Sequence, residues 1–307
     1  NIAIGSHALD ADVNGGTSVA IGHNALTAQA PTTATDMLNV AVGNNAGAAV
    51  TTGVQNTLIG GLAGDALTTG SLTCVGYLSG SAITTSVGNV LMGELSGTAL
   101  TTGAHNTAFG SQALSTDTLG ARSVAIGHDA LRYQNFTTAT DAYNVAVGYD
   151  AGLSITTGTQ NVLIGGKTGD ALTTGTDNVA IGRASLTSDD VGNKTVAVGM
   201  NTLAAQNFAT STDSYNTAVG YAAGTAVTTA INNTLIGGLA GDAITTGASN
   251  TAVGAYAMTT LTTGADNVAV GTSALDVTTT GDQNVAVGRN ALGTNVAGSF
   301  QTAVGYN

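Results

Sequence analysis

The chain has 307 residues and a formal net charge of −12; 8% of its residues are charged, 4% are aromatic and one is cysteine. Such an acidic chain lacks the basic face that nucleic acids and anionic membrane surfaces require, so we expect neither as a partner. A single cysteine excludes a disulfide framework within the chain, and no apolar run approaches the roughly 20 residues of a membrane span, so we expect no membrane insertion by this segment.

One short phrase, Asn-(Val/Thr)-(Ala/Leu)-(Val/Ile)-Gly, returns eighteen times from Asn1 onward. Its glycines are almost always 17 residues apart, as from Gly5 to Gly22, and 21 apart at three places. Helical-hairpin repeats need about 33 residues or more, whereas 17 suit one coil of short β-strands. The spacing predicts an all-β parallel β-roll or β-solenoid of about 18 coils, forming a single repeat domain over residues 1–307. Both ends fall inside a phrase, so we expect a segment of a longer fibre.

Positions within a coil are numbered here from the asparagine of the phrase, which is position 1. Position 4 is apolar in every coil, beginning with Ile4 and Ile21, and this column is expected to point inward. Position 3 lies on the opposite face of the strand and is also uncharged throughout, as at Ala20, Ala41 and Leu58. A strand that is apolar on both faces is covered on both. We therefore expect partner chains to cover the side that position 3 lines.

Positions 9 and 12 compensate for each other in size. Coils with glycine at position 9 carry a large aliphatic residue at position 12, and coils with leucine at position 9 do not. This pattern predicts one large side chain per coil in a common interior volume, because protein interiors keep a near-constant packing density. The coil with both Met258 and Leu261 breaks the rule.

Asparagine at position 1 is expected to stack from coil to coil and to form a hydrogen-bonded ladder that fixes the register. The glycine at position 5 predicts a backbone turn with positive φ or a close approach to a neighbouring chain segment. The asparagines of the predicted ladder, following Asn1, are Asn39, Asn56, Asn89, Asn106, Asn144, Asn161, Asn178, Asn216, Asn233, Asn250, Asn267 and Asn284.

The phrases Asn-Val-Ala-Val-Gly and Ser-Val-Ala-Ile-Gly, the latter at Ser18 to Gly22 with a small residue three places on at Ala25, resemble the head repeats of YadA-type trimeric autotransporter adhesins. Similar repeats occur in bacteriophage tail fibres. The resemblance covers essentially the whole chain and implies a left-handed parallel β-roll built by three identical chains, although the period here is longer than the family's. Such a homotrimer would supply the outer cover that the strands need.

Three coils carry four extra residues each, near 29–36, 134–141 and 206–213. Insertions in solenoids emerge as loops on one face, often the binding face. Aromatic residues make the second and third loops candidates for sugar or protein contacts, and the alternative is that these rings only pin a bulge against the roll. The candidate ligand-binding residues are Tyr133, Asn135, Phe136, Thr138, Asp141, Tyr143, Asn207, Phe208, Thr210, Asp213 and Tyr215.

The sequence offers no arrangement typical of an enzyme, and we expect no catalytic residues, metal or cofactor. Cys74 sits where other coils have Ala or Leu, which indicates a small core residue. The aspartates of the recurring Gly-Asp-Ala turns, such as Asp65, are expected to cap turns rather than bind calcium, because no calcium-binding repeat is present. The histidines are His7, His23, His105 and His128, and we expect them at the surface, where His7 and His23 could approach one another across adjacent coils without forming a metal site.

These features together predict a structural and adhesive role. We expect an extracellular attachment fibre, displayed on a virion as a phage tail fibre or on a bacterial cell surface as an adhesin, that binds a host-cell or surface receptor, with a glycan as one candidate. Two alternatives stay open. A single-chain β-solenoid could bind ice or crystal surfaces through its threonine columns, or the chain could be a subunit of a structural extracellular filament.

Overall fold

A computed structural model describes residues 1–307 and contains β-strands and turns but no helix. The chain forms a parallel β-solenoid of about 18 coils with a period of about 17 residues, which confirms the predicted fold class at this level. No helix is present that could cross a membrane. Contacts divide the chain into two compact units, Asn1–Thr157 and Gly158–Asn307. The single-domain assignment stays a prediction.

In the first unit, one short strand per coil pairs in parallel with the strand of the next coil, so that Ala20 lies beside Ala41 and Ala41 beside Leu58. Two of the insertions add a separate two-stranded parallel pair, Gly15–Gly16 with Thr35–Asp36 and Gly120–Ala121 with Thr140–Asp141. The strands of the long sheet in this unit are Ile2–Ile4, Val19–Ile21, Val40–Val42, Thr57–Ile59, Ser71–Val75, Val87–Met92, Thr107–Phe109, Val124–Ile126 and Val145–Val147.

The second unit repeats this arrangement, with Leu235 beside Ala252 and Ala252 beside Ala269. Its insertion adds the pair Gly192–Asn193 with Thr212–Asp213. The strands of its long sheet are Val162–Ile164, Val179–Ile181, Val196–Val198, Thr217–Val219, Thr234–Ile236, Thr251–Val253, Val268–Val270, Val285–Val287 and Thr302–Val304. In both units, each coil is too small to bury a core alone and gains one by stacking.

The structure reverses the expected inward and outward faces of the long sheet. Position 3 points into the coil, and Ala20, Ala41 and Leu58 are fully buried by their own chain. Position 4 points outward, so that Ile59 keeps 38% and Ile126 37% of its surface exposed. The prediction that position 4 forms the inward column was wrong, and so was the prediction that partner chains cover position 3. Both positions are apolar, so alternation alone could not tell the two faces apart.

The glycine at position 5 behaves as the sequence predicts. Gly237 has a φ of +139°, and a Cβ added there would lie 2.5 Å from the carbonyl oxygen of Gly254 in the next coil. Only glycine tolerates both this backbone conformation and this contact. The turn that follows also places other residue types in the left-handed region, including Leu203 at a φ of 48°.

The compensation between positions 9 and 12 is confirmed in the interior. Val227 is at position 12 of a coil with glycine at position 9, whereas Leu203 is itself the position 9 residue of its coil. Both side chains are fully buried. At Gly224, which precedes Val227 in its coil, an added Cβ would lie 2.7 Å from Leu235 Cδ1, so that the glycine leaves room for the neighbouring leucine. In the exceptional coil, Met258 and Leu261 are both fully buried.

Hydrogen bonds along the stack involve the position 1 asparagines, which are buried. The Oδ1 atom of Asn89 accepts the backbone N–H of Asn106 at 2.7 Å, and the Nδ2 atom of Asn106 donates to the carbonyl oxygen of Gly120 at 2.9 Å. Direct amide-to-amide bonds occur at some steps, such as Asn56 Nδ2 to Asn39 Oδ1 at 3.0 Å. The side chain of each asparagine is thus hydrogen-bonded to the backbone of the next coil, which holds the coils in register.

Candidate functional site

The outer face of the long sheet consists of the residues at positions 2 and 4 of every coil. Position 2 is mostly half-buried Val or Thr. Position 4 carries exposed apolar side chains in both units, with Phe109 53% exposed in the first unit and Ile236 40% exposed in the second. Successive strands of a sheet lie about 4.8 Å apart, so these residues form a continuous uncharged surface in each unit. Extended apolar surfaces of this kind mark interaction sites.

Each insertion is held by an aspartate, a glutamine and an asparagine, all of them buried except the half-buried Asp12. In the second insertion, Gln134 Nε2 donates to Asp117 Oδ2 at 2.6 Å, and Asn144 Nδ2 donates to Gln134 Oε1 at 2.8 Å. Asp117 Oδ1 also accepts the backbone N–H groups of Gly120 and Phe136. The same three residue types recur in the other two insertions, as Asp12, Gln29 and Asn39 and as Asp189, Gln206 and Asn216.

Burial raises the pKa of two of these aspartates. Desolvation raises the pKa of Asp117 and of Asp189 above the ordinary value of 3.8, and the hydrogen bonds from Gln134 and Gln206 oppose this shift. A carboxylate in the interior is tolerated because its oxygens are hydrogen-bonded. The network is therefore a buried polar anchor that fixes the start and the end of each insertion.

The phenylalanines of the second and third insertions are not exposed platforms. Phe136 and Phe208 are each only 5% exposed, so the alternative interpretation holds for these rings: they pin the bulge against the coil. Pro31 is buried at the corresponding place of the first insertion. Asn135 is half-buried and its Oδ1 atom accepts a hydrogen bond from Thr118 Oγ1 at 3.1 Å.

The exposed part of the second insertion is a cluster of a cation, a carboxylate and a tyrosine. Arg122 Nη1 contacts Asp141 Oδ2, donates to the Tyr143 hydroxyl at 2.8 Å, and lies with its guanidinium carbon 5.7 Å from the centre of that ring. The hydrogen bond with Tyr143 and the charge of Asp141 raise the pKa of Arg122. We call Arg122, Asp141 and Tyr143, with their counterparts in the third insertion, the cation–tyrosine clusters.

The third insertion repeats this arrangement with lysine. Lys194 Nζ lies 2.5 Å from Asp213 Oδ2 and 5.3 Å from the centre of the Tyr215 ring, and the Tyr215 hydroxyl donates to Asp213 at 3.1 Å. The hydrogen bond from Lys194 lowers the pKa of Asp213. Asn207 and Thr210 are exposed in this insertion, as Thr138 is in the second. The first insertion has neither cation nor ring, since Thr17 and Leu38 take the corresponding places.

Tyr133 is the remaining predicted residue. It is 46% exposed, and the guanidinium carbon of Arg132 lies 5.3 Å from the centre of its ring. The third insertion has no tyrosine at the corresponding place, which Ala205 occupies. Tyrosines at position 6, such as Tyr77 and Tyr221, are also exposed and lie outside the insertions.

The Thr-Thr pairs divide into an inner and an outer residue. The first threonine donates its hydroxyl to the next coil, as Thr228 does to the carbonyl oxygen of Thr245 at 3.0 Å. The second is exposed, as at Thr229, Thr246 and Thr263 in the second unit. Each coil with a Thr-Thr pair therefore presents one outward threonine, which the alternation of side chains along an extended segment predicts.

One group of polar residues was missed in the sequence. His128, Asp129 and Asp150 bring one ligand atom each within 4.8 Å of one another. The aspartates are 21 residues apart, the interval of a coil with an insertion, and this spacing is the signal that pairs them. Cys74, by contrast, is fully buried as expected, and burial raises the pKa of its thiol to about 12.

No protein-family model matches the chain, and no curated protein and no solved structure matches it either.

Proposed function

We propose that this chain is a structural and adhesive segment of an extracellular attachment fibre, on a phage or on a bacterial cell surface, in which three copies associate through the outer face of the long sheet. The observation that carries the proposal is the uncharged column of exposed and half-buried apolar residues at position 4 of a regular parallel β-solenoid. Sheets with two apolar faces are covered on both. The chain's own interior covers one face, and identical partners are the cover that a homotrimer provides.

The sequence supports this assembly in two further ways. Its resemblance to YadA-type head repeats implies three chains in parallel. The apolar character of position 4 also repeats from coil to coil, so that a second copy in register meets an apolar surface at every step. A contact that is weak in one coil is multiplied along the stack, and this makes a long fibre resistant to unfolding.

Adhesion is assigned to the cation–tyrosine clusters. An aromatic ring beside a cation, a carboxylate and hydroxyl groups offers the apolar face and the hydrogen-bonding edge that sugars and polar protein surfaces need. Each copy of the chain carries two such clusters, and a trimer would carry six. Several weak sites on one assembly bind with an avidity well above the affinity of one site.

The assembly is tested by the mass of the native protein in solution, measured by light scattering. The proposal predicts three times the mass of the chain. The triple variant Ile59→Lys, Phe109→Lys and Ile126→Lys should reduce the mass to that of one chain, because it buries three charges in the contact. A matched control, Thr52→Lys, Thr69→Lys and Thr102→Lys, changes exposed residues elsewhere on the same unit and should keep the trimer. A wild-type chain that is monomeric at all concentrations would contradict the assembly.

Adhesion is tested on a glycan array and on intact bacterial cells with the labelled protein. The variant Arg122→Thr with Tyr143→Leu and Lys194→Thr with Tyr215→Leu gives the second and third insertions the residues of the first. Binding should fall by at least tenfold while the mass stays unchanged. If binding survives this change, the clusters do not carry adhesion, and the proposal of a trimer is unaffected.

Ice or crystal binding is a second candidate, favoured by the exposed threonines at position 14 of consecutive coils, Thr229, Thr246, Thr263 and Thr280. Each of these coils presents one outward hydroxyl group, so the surface is a single column spaced about 4.8 Å apart. Such a surface is narrower than one built from two parallel columns of threonines. Thermal hysteresis of the monomeric protein, lost in Thr246→Lys, would favour this function over the fibre.

A further inference from the structure

We propose that His128, Asp129 and Asp150 form a binding site for a first-row divalent transition-metal cation, with Zn²⁺ as its best-fitting member. The three residues belong to the first unit. His128 and Asp129 follow one repeat phrase, at positions 6 and 7, and Asp150 holds position 7 of the next coil. The backbone N–H of Asp150 donates to the carbonyl oxygen of His128 at 3.1 Å, which fixes the two coils at this point.

The geometry brings together one imidazole nitrogen and two carboxylate oxygens, all within 4.8 Å of one another. Zinc bonds to these ligands are about 2.1 Å long, so ligand atoms around a tetrahedral ion lie roughly 3.4 Å apart. His128 Nδ1 already lies 3.3 Å from Asp129 Oδ2, and its side chain is 49% exposed, so it has room to turn toward an ion. The ring of His128 stacks on Tyr149 with centres 5.6 Å apart, which limits its orientation.

The two carboxylates are only partly paired. Asp129 and Asp150 are each only 8% exposed. The Oδ1 atom of Asp129 is buried without a hydrogen bond. The carboxylate of Asp150 has no hydrogen bond or ion pair in the structure. A nearly buried carboxylate without a partner is costly, and two that face each other add repulsion. Both terms are relieved by a cation placed between them.

Arg132 is a positively charged group that faces this pair. Its Nη1 atom lies 3.2 Å from Asp129 Oδ2, and His128 Nδ1 lies 3.3 Å from the same oxygen. Arg132 makes no such contact with Asp150. With a neutral histidine, the group of two carboxylates and one guanidinium keeps a net charge of −1, so a divalent cation is still attracted.

The chain contains a neutral version of the same arrangement. His23 is followed by Asn24, and Asn45 holds position 7 of the next coil, again 21 residues on. There the two side chains satisfy each other, with Asn24 Nδ2 donating to Asn45 Oδ1 at 3.0 Å. Two carboxylates cannot make this bond. The two sites share their backbone geometry but differ in their side chains. The carboxylate pair beside His128 therefore favours a bound cation, whereas the amide pair beside His23 does not need one.

The donor set selects the class of metal. Calcium and magnesium take oxygen ligands, whereas an imidazole nitrogen with carboxylate oxygens suits zinc and its first-row neighbours. Three protein ligands leave the fourth position of a tetrahedral zinc ion to water or to a group from a partner molecule.

The test is calorimetric titration of the untagged full chain with ZnCl₂ in a non-chelating buffer. We expect one tight site per chain, and at least a hundredfold weaker binding in Asp129→Asn with Asp150→Asn, which copies Asn24 and Asn45 and should fold as they do. His128→Ala should weaken binding similarly. The control His7→Ala with His23→Ala removes two other histidines, whose rings lie 6.1 Å apart, and should leave the tight site intact.

Two results would overturn the site. One is the absence of Zn²⁺ binding to the wild-type chain in the micromolar range. The other is tight binding that the double asparagine variant retains. Thermal unfolding of each variant without metal checks that the fold persists, and the proposed site also predicts that Zn²⁺ raises the Tm of the wild type but not of the double variant.

Discussion

Leu235 and Ile236 are neighbours in one strand, yet the first is fully buried and the second is 40% exposed. The same contrast holds along both units between position 3, which fills the coil, and position 4, which faces outward. The inner face holds the coil together, because Leu235 occupies the space that Gly224 and Gly241 leave open. The outer face contributes little to one coil and is free to bind other molecules. One strand thus separates stability from interaction.

The largest difference between the faces is expected at these two neighbours. Leu235→Ala removes a fully buried side chain and should lower the free energy of unfolding by about 3 kcal/mol. Ile236→Ala should cost less than about 1 kcal/mol in the single chain, because this side chain is already partly in water. Urea unfolding under conditions that keep the protein monomeric measures both. Equal losses at the two positions would break the comparison.

Two adjacent glycines give a similar contrast in the backbone. Gly237→Ala places a methyl group against the carbonyl oxygen of Gly254 at a φ of +139°, and we expect a loss of roughly 2–3 kcal/mol. Gly238 has nothing within 4 Å of an added Cβ, so Gly238→Ala should be nearly neutral. Thermal unfolding of the two variants would show the difference as an unequal drop in Tm.

Two aspartates extend the contrast to polar groups. Asp117→Asn turns an acceptor that faces Gln134 into an amide donor, so two donors meet in the interior and stability should fall by about 2 kcal/mol. Asp141→Asn weakens an exposed pair with Arg122 and should cost less than about 1 kcal/mol. Chemical denaturation of both variants at neutral pH measures these losses. A larger loss of stability in Asp141→Asn than in Asp117→Asn would mean that the exposed cluster, and not the buried network, holds the insertion.

The smallest effect is a pH dependence. Burial raises the pKa of Asp117 above 3.8, so the contribution of this group to stability is fully present below 3.8 and is lost as the pH rises through its folded-state pKa. The pKa of Asp213 is lowered, so its contribution is present above 3.8 and is lost as the pH falls. The destabilisation by Asp117→Asn should therefore be larger at about pH 3 than at about pH 7, and that by Asp213→Asn smaller. Unfolding curves at the two pH values test both signs.

The repeat made much of the fold predictable. The 17-residue spacing predicted the coils, the glycine at position 5 predicted the positive φ, and the compensation between positions 9 and 12 predicted the interior volume. The direction of the strand was not predictable from alternation, because positions 3 and 4 are both apolar. A signal was present in the sizes, since position 3 accepts Ala, Leu or Cys as the neighbouring glycine or leucine requires, whereas position 4 shows no such dependence.

The insertions were located from their length but not understood. Asp117 and Gln134 look like surface residues in the sequence, and only the stacking of one coil on the next makes them a buried pair. Phe136 and Phe208 were placed among the ligand-binding candidates because an aromatic residue in a polar loop reads as exposed. The pairing of Asp129 with Asp150 requires a count across the insertion, which a search for short metal-binding motifs does not make.

The central claim, that the outer face of the long sheet is covered by partner chains, is tested most directly by the reactivity of an introduced thiol. Cys74 is buried and its pKa is about 12, so it should not react with a maleimide under native conditions. Ile126→Cys places a thiol on the outer face, and Thr102→Cys places one on an exposed turn. We predict labelling at least tenfold slower at residue 126 than at residue 102 in the native protein, and equal rates would contradict the claim.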